Sequence, residues 1–94
     1  MRSYEIAFLF KEGDDVEGVK ERIKGYISKI GSEFVSDSDM GLRELAYPIH
    51  RNREKFNRAF YYFVKARLNP ELIPEMERSF KFDESIIRYL ILAE

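Results

Sequence analysis

The chain has 94 residues, 45% of them apolar and 15% aromatic, enough for one compact domain spanning residues 1–94 and too hydrophobic for disorder. It has no cysteine, which excludes disulfides and thiolate-held metals, and no apolar run approaching the ~18 residues of a membrane span. The net charge of −1 is small for a nucleic-acid binder, yet unevenly spread: residues 1–40 hold 6 Lys/Arg against 9 Asp/Glu, whereas residues 41–68 hold 7 against 2.

Arg2 to Phe10 alternates, with Tyr4, Ile6, Phe8 and Phe10 on one face and Ser3, Glu5, Ala7 and Leu9 on the other. That is the pattern of a strand with one strongly apolar face. Without a signal peptide ahead of this strand, a reducing cytoplasm is the expected setting. Lys11 to Asp14 reads as a loop, with Asp14 or Asp15 placed to cap a helix and Glu17 adding favourable charge near its start. Val16, Val19, Ile23, Tyr26, Ile27 and Ile30 then recur at helical spacing, and Gly31 is a natural stop.

Phe34 and Val35 open a second strand. Ser36 to Asp39 interrupts its apolar pattern, as a bulge or a polar surface stretch would. The strand resumes from Met40 to Ile49, with Leu45, Tyr47 and Ile49 on one face. Pro48 cannot donate to a ladder, which assigns this strand to a sheet edge. His50 to Asn57 reads as a basic, polar loop. Arg58 to Leu68 is a third strand, with Phe60, Tyr62, Val64, Ala66 and Leu68 on one face and Tyr61, Phe63, Lys65 and Arg67 on the other.

Asn69-Pro70-Glu71 is a helix start, a capping side chain followed by proline, and Leu72, Ile73, Met76 and Phe80 form the buried stripe. Pro74 would remove a hydrogen bond from a helix begun at Pro70. Either the first turn is distorted or the helix begins nearer Pro74. Ile86 to Ala93 is a last, almost wholly apolar strand, and such a run does not fix the face of Leu90 and Leu92. The order strand, helix, strand, strand, helix, strand predicts an α+β, ferredoxin-like sandwich. Its four-stranded antiparallel sheet carries two helices on one face, with the first and third strands central.

Residues suited to catalysis are sparse. His50 stands alone, Asp37 and Asp39 lack a third metal ligand nearby, and no nucleophile motif or phosphate-cradling loop occurs. The expectation is a protein that is not an enzyme and has no cofactor, metal or small-molecule substrate. Glu71, Glu75 and Arg78 read as surface ion pairs.

Binding is better supported. Arg43, Arg51, Arg53, Lys55 and Arg58 form a basic cluster, relieved by Glu44 and Glu54, and Arg2 and Arg88 lie on strands that are neighbours in this topology. Such arginines grip phosphate through a planar fork, or form a solvated charged loop. Tyr61 and Phe63 suit base stacking, but the first strand offers no second aromatic. The apolar residues Phe63, Leu90 and Leu92, with the edge Leu45-Ala46-Tyr47-Pro48-Ile49, would equally make a protein interface.

Three blocks carry a family resemblance: Met1-Arg2-Ser3-Tyr4-Glu5-Ile6 at the start, Gly41-Leu42-Arg43-Glu44-Leu45-Ala46-Tyr47-Pro48-Ile49 in the middle, and Phe80 to Arg88 near the end. In this order they resemble the bacterial small-subunit ribosomal protein S6 family over essentially the whole chain. The resemblance implies the same ferredoxin-like fold and a non-enzymatic, structural constituent of the small ribosomal subunit in the cytoplasm. It further implies a heterodimer with ribosomal protein S18. The pair would bind the central domain of small-subunit ribosomal RNA near a three-way junction organised by ribosomal protein S15. By position, Arg2, Arg43 and Arg88 become RNA-contact candidates, joined by Arg51, Arg53 and Lys55 of the basic loop. Leu45, Ala46, Tyr47, Pro48, Ile49, Phe63 and Leu90 become partner-contact candidates. The chain departs from many members in having Met40 for a tryptophan and in ending at Glu94 without a charged tail. The competing reading is a stand-alone RNA-recognition-like domain that binds single-stranded RNA.

Overall fold

The computed structural model describes residues 1–13, 15–51 and 53–94. Strands β1 (Arg2–Lys11), β2 (Glu33–Arg51), β3 (Glu54–Leu68) and β4 (Ile86–Ala93) form one antiparallel sheet in the order β2-β3-β1-β4. Helices α1 (Val16–Lys29) and α2 (Ile73–Phe82) cover one face. This is the ferredoxin-like arrangement expected from the element order, with β1 and β3 central.

Alternation decides the core. Ile6, Phe8 and Phe10 of β1 and Tyr62, Val64 and Leu68 of β3 are buried against Val19, Ile23 and Ile27 of α1 and Met76 and Phe80 of α2. The Phe80 ring meets Phe8 edge-on at 5.0 Å and lies 5.3 Å from Tyr89. Helix α1 ends where expected: Gly31 adopts φ 71°, its N–H bonds Ser28 O, and Ser32 N–H bonds Ile27 O, the paired bonds of a left-handed helix stop. At its start the N-cap is Asp15, whose side chain makes no capping bond. The alternative cap, Asp14, lies outside the described residues.

The two prolines are accommodated in succession. The Asn69 side chain accepts from Glu71 N–H at 3.1 Å and Pro70 opens a single 3-10 turn, Pro70–Leu72. Helix α2 then begins at Ile73 with Pro74 in its first turn, where a missing N–H costs no helical bond.

Other expectations are corrected. His50 to Asn57 is not a loop. β2 and β3 continue as a hairpin, pairing His50 with Lys55 and Arg51 with Glu54. Arg53, at φ 66°, takes the left-handed conformation in the tight turn, while Asn52 lies outside the described residues. The polar composition concealed a strand because both faces of the hairpin tip meet solvent. Nor do Leu45, Tyr47 and Ile49 share a face. Between the pairs Glu44↔Arg58 and Ile49↔Phe56 the β2 strand takes five steps and β3 two, so the intervening segment bulges away from the ladder. Leu45 and Ile49 turn inward, into a small cluster with Ala59, Ile87, Leu9 and Phe56, while Tyr47 is 82% exposed. The row Glu71, Glu75, Arg78 stays exposed to solvent. One polar tie to α2 comes from the Tyr89 hydroxyl, which donates to Glu77 at 2.9 Å.

Candidate functional site

The face of the sheet away from the helices is built in cross-strand rows. Gly41, Tyr61, Leu9 and Arg88 make one row, and Ser38, Phe63, Ala7 and Leu90 the next. Ser36, Lys65, Glu5 and Leu92 make the third. Paired residues on neighbouring strands project to the same side. The middle of this face is therefore apolar and its far end charged. Ala7, Leu9, Tyr61, Phe63, Leu90 and Arg88 line a shallow groove of about 230 Å³. Leu90 and Leu92 belong here and not to the helix-facing core, which settles the face that their apolar run left open.

The groove continues through Leu9 into the small cluster of Ile49, Ala59, Ile87 and Leu45, and thence to the bulge. Six of the seven partner-contact candidates thus lie along one strip: Ala46, Tyr47, Pro48 and Leu90 exposed, Leu45 and Phe63 half-buried. The seventh, Ile49, is buried and supports the bulge from beneath. Sequence reasoning passed over Ala7 and Leu9 as contributors, although their alternation with Phe8 and Phe10 carried the signal.

The RNA-contact candidates do not form one cluster. Arg88 stands beside the apolar groove. Arg2 lies at the opposite end of β1 and projects to the opposite face, since it shares alternation with Tyr4 and pairs with Leu68. Seven residues of strand, roughly 23 Å at ~3.3 Å per residue, separate the two ends. The strands are neighbours but the arginines are not. Arg43 is exposed beside Ala59 and donates from Nε to Met40 O at 3.0 Å. Arg51 is half-buried and donates to Lys81 O at 2.8 Å and to Ile86 O, fastening the hairpin to the end of α2 and the start of β4. Arg53 and Lys55 are exposed at the tip. Two ion pairs, Lys11–Glu54 at 3.0 Å and Arg58–Glu12, neutralise part of the surrounding charge.

Asp37 and Asp39, the weak metal candidates, face the helices. Asp39 pairs with Lys20 of α1, and Asp37 accepts from the Tyr62 hydroxyl at 2.6 Å with Lys24 at 4.0 Å. The Lys20 ammonium lies 5.3 Å from the Tyr62 ring centroid. Among the described residues no three His, Cys, Asp or Glu side chains are grouped to hold a metal ion. Burial pulls the Lys20 pKa down, but Asp39 and Glu17 outweigh it and the net shift is upward. Burial, then the bond to Asp37, pushes the Tyr62 hydroxyl up, and burial with the bond to Glu77 pushes Tyr89 up to about 12. Each shift moves its group away from neutrality, the mark of structural pairing and not of acid–base work.

Comparison with known proteins agrees with the fold. The family model described as Ribosomal protein S6 matches residues 3–93. The chain is 35% identical over 95 residues to a protein of Clostridium novyi (strain NT) named small ribosomal subunit protein bS6, covering 98% of this chain and 96% of that one. It is 38% identical over 94 residues to the protein of the same name from Aquifex aeolicus (strain VF5), covering 96% and 82%. The crystal structure of 30S ribosomal protein S6 from Thermotoga maritima superimposes with a TM-score of 0.88 at 26% identity, covering 99% of this chain and 87% of that one.

Proposed function

The chain belongs to the ribosomal protein S6 family, and from that premise we propose that it is a structural constituent of the small ribosomal subunit, working in the cytoplasm. In this reading it binds the central domain of small-subunit ribosomal RNA jointly with ribosomal protein S18. The observation that carries the joint mode is the uncovered apolar strip from Leu90 and Phe63 through Leu9 to the bulge at Ala46–Pro48. An apolar surface of this kind is suited to a protein partner and not to phosphate. The arginines beside it then serve RNA. A chain of net charge −1 with a local excess of seven basic residues over two acidic ones at 41–68 makes few ion-release contacts alone. A basic partner seated on the strip supplies the rest. Arg43, Arg53, Lys55 and Arg88 contact the same RNA surface, Arg2 reaches a separate one, and Arg51 acts by holding the hairpin in place.

A mobility-shift titration on central-domain ribosomal RNA at fixed salt, with and without S18, tests this. Binding that requires S18 is the expected result. Tight partner-free binding to unstructured single strands would overturn it in favour of base stacking on Tyr61 and Phe63. Against that alternative, β1 places Ala7 and Leu9 beside those rings and supplies no second stacking platform.

A further inference from the structure

The two edges of the sheet are guarded very differently. β2 carries three register shifts, Pro48 and the exposed charges Glu33, Arg43 and Glu44, all devices that keep an edge from pairing. β4 is a run of eight residues with Arg88 as its one charge, and Leu90 and Leu92 are 56% and 51% exposed. Its ladder with β1 is unbroken from Leu9↔Arg88 to Tyr4↔Ala93, and Glu94 N–H extends it by donating to Ser3 O at 3.0 Å.

That last bond fixes the direction of the backbone groups from Arg88 to Glu94, the unbroken part of the ladder. Successive residues of an antiparallel ladder turn their N–H and C=O to alternate sides. Leu92, Leu90 and Arg88 therefore turn theirs to β1, as Glu94 does. Tyr89, Ile91 and Ala93 turn theirs outward, where no strand among the described residues receives them.

We propose that, in the chain free of the partner and RNA of the preceding reading, this edge pairs with the same edge of a second copy of the chain, antiparallel about a two-fold axis through Ile91, merging two sheets into one. A two-fold interface must be self-complementary, and the side chains select the register. Centred on Ile91, each Tyr89 opposes the Ala93 of the other copy and Ile91 opposes itself, all as hydrogen-bonded pairs. Between them Leu90 opposes Leu92, and at each end Arg88 opposes Glu94. All four of these latter side chains project to the open face, so the exposed leucines cover one another and an ion pair closes each end. Centring on Leu90 sets Arg88 against Leu92, centring on Tyr89 sets it against Leu90, and centring on Leu92 sets Leu90 against Glu94. None of those registers matches the charges.

Sedimentation equilibrium on the full chain, from low micromolar to submillimolar concentration, tests the pairing. The wild type follows a monomer–dimer equilibrium. Arg88→Glu creates two like-charge pairs and raises the dimer Kd at least about tenfold, and adding Glu94→Arg restores it. Ala93→Pro removes an outward donor without touching the ladder to β1 and abolishes the dimer, with circular dichroism verifying the fold of each variant. A wild type that sediments as a monomer throughout overturns the proposal. So does a dimer that survives Arg88→Glu unchanged, since its contact would lie elsewhere, as at the β2 edge.

Discussion

Asp83→Ala is expected to destabilise the fold as strongly as a core truncation, although it removes a polar side chain. Asp83 caps the junction between α2 and β4, with its side chain 5% exposed. Its carboxylate accepts from Arg22 Nε at 2.9 Å, Arg22 Nη2 at 3.1 Å, the Tyr26 hydroxyl at 2.8 Å and Ser85 N–H at 3.1 Å. A net hydrogen bond to a charged group contributes about 1.5–3 kcal/mol. The Arg22 side chain is 45% exposed and regains water, so its share is discounted to about 1 kcal/mol. The Tyr26 hydroxyl and Ser85 N–H each add about 1 kcal/mol, for a loss of about 3 kcal/mol. That lowers Tm by about 12–24 °C in a domain of this size and leaves the protein folded at room temperature. The assay is urea unfolding followed by far-ultraviolet circular dichroism, with Arg22→Ala and the double variant completing a cycle. Acid supplies a second reading. Burial pushes the Asp83 carboxyl up, but Arg22, Tyr26 and Ser85 together hold it below its usual 3.8. Its contribution is then full above pH 3.8 and disappears as pH falls through the folded pKa. The gap between wild type and variant therefore narrows in acid. A loss under about 1 kcal/mol, or a gap that stays constant on acidification, would refute the reasoning.

Tyr62→Phe removes the bond to Asp37 and costs about 1–2 kcal/mol by urea unfolding. Because the Tyr62 pKa is raised above 10.0, its contribution is full below pH 10.0 and is lost in stronger alkali. Alkaline denaturation is accordingly shallower in the variant. Arg51→Ala frees the carbonyls of Lys81 and Ile86 and lowers stability by about 1–2 kcal/mol, whereas Lys55→Ala leaves the free energy of urea unfolding within about 0.5 kcal/mol of wild type. Arg2→Ala and Arg88→Ala each weaken joint RNA binding, lower the salt slope by about 0.7–0.9 per lost contact, and leave the circular dichroism spectrum unchanged. Their effects add, as the separation along β1 requires, and a strongly non-additive double variant would mean that they share one phosphate.

The core was legible in the sequence because alternation and helical spacing are set by the backbone itself. Tyr4, Ile6, Phe8 and Phe10, the α1 stripe and Met76 with Phe80 all lie where periodicity assigns them. Register was not legible. The bulge that separates Leu45 and Ile49 from Tyr47 depends on how many β3 residues oppose β2, which no single segment encodes. The hairpin beyond Ile49 was hidden for a related reason: its pairing partner, and not its composition, makes it a strand. Leu90 and Leu92 could be assigned to the open face only once their pairing with Ala7 and Glu5 was known. The strip of candidate partner residues was therefore visible by residue type, while its continuity and the separation of Arg2 from Arg88 were properties of the assembled sheet.

The central position of β1 bears on how the protein is made. Of the four strands, β1 leaves the ribosome before the others, yet both of its neighbours come later: β3 ends at Leu68 and β4 runs to Ala93. At roughly 5–20 residues per second, β1 waits about 3–11 seconds after its synthesis before β3 is complete. Throughout that interval Ile6, Phe8 and Phe10 have only α1 and the nascent β2 to shield them. Neither sheet neighbour of β1 lies within the first half of the chain, so this central strand joins the sheet only after β3 has emerged. A release-and-refold experiment and a stalled-chain experiment should report the same threshold, near the emergence of β3.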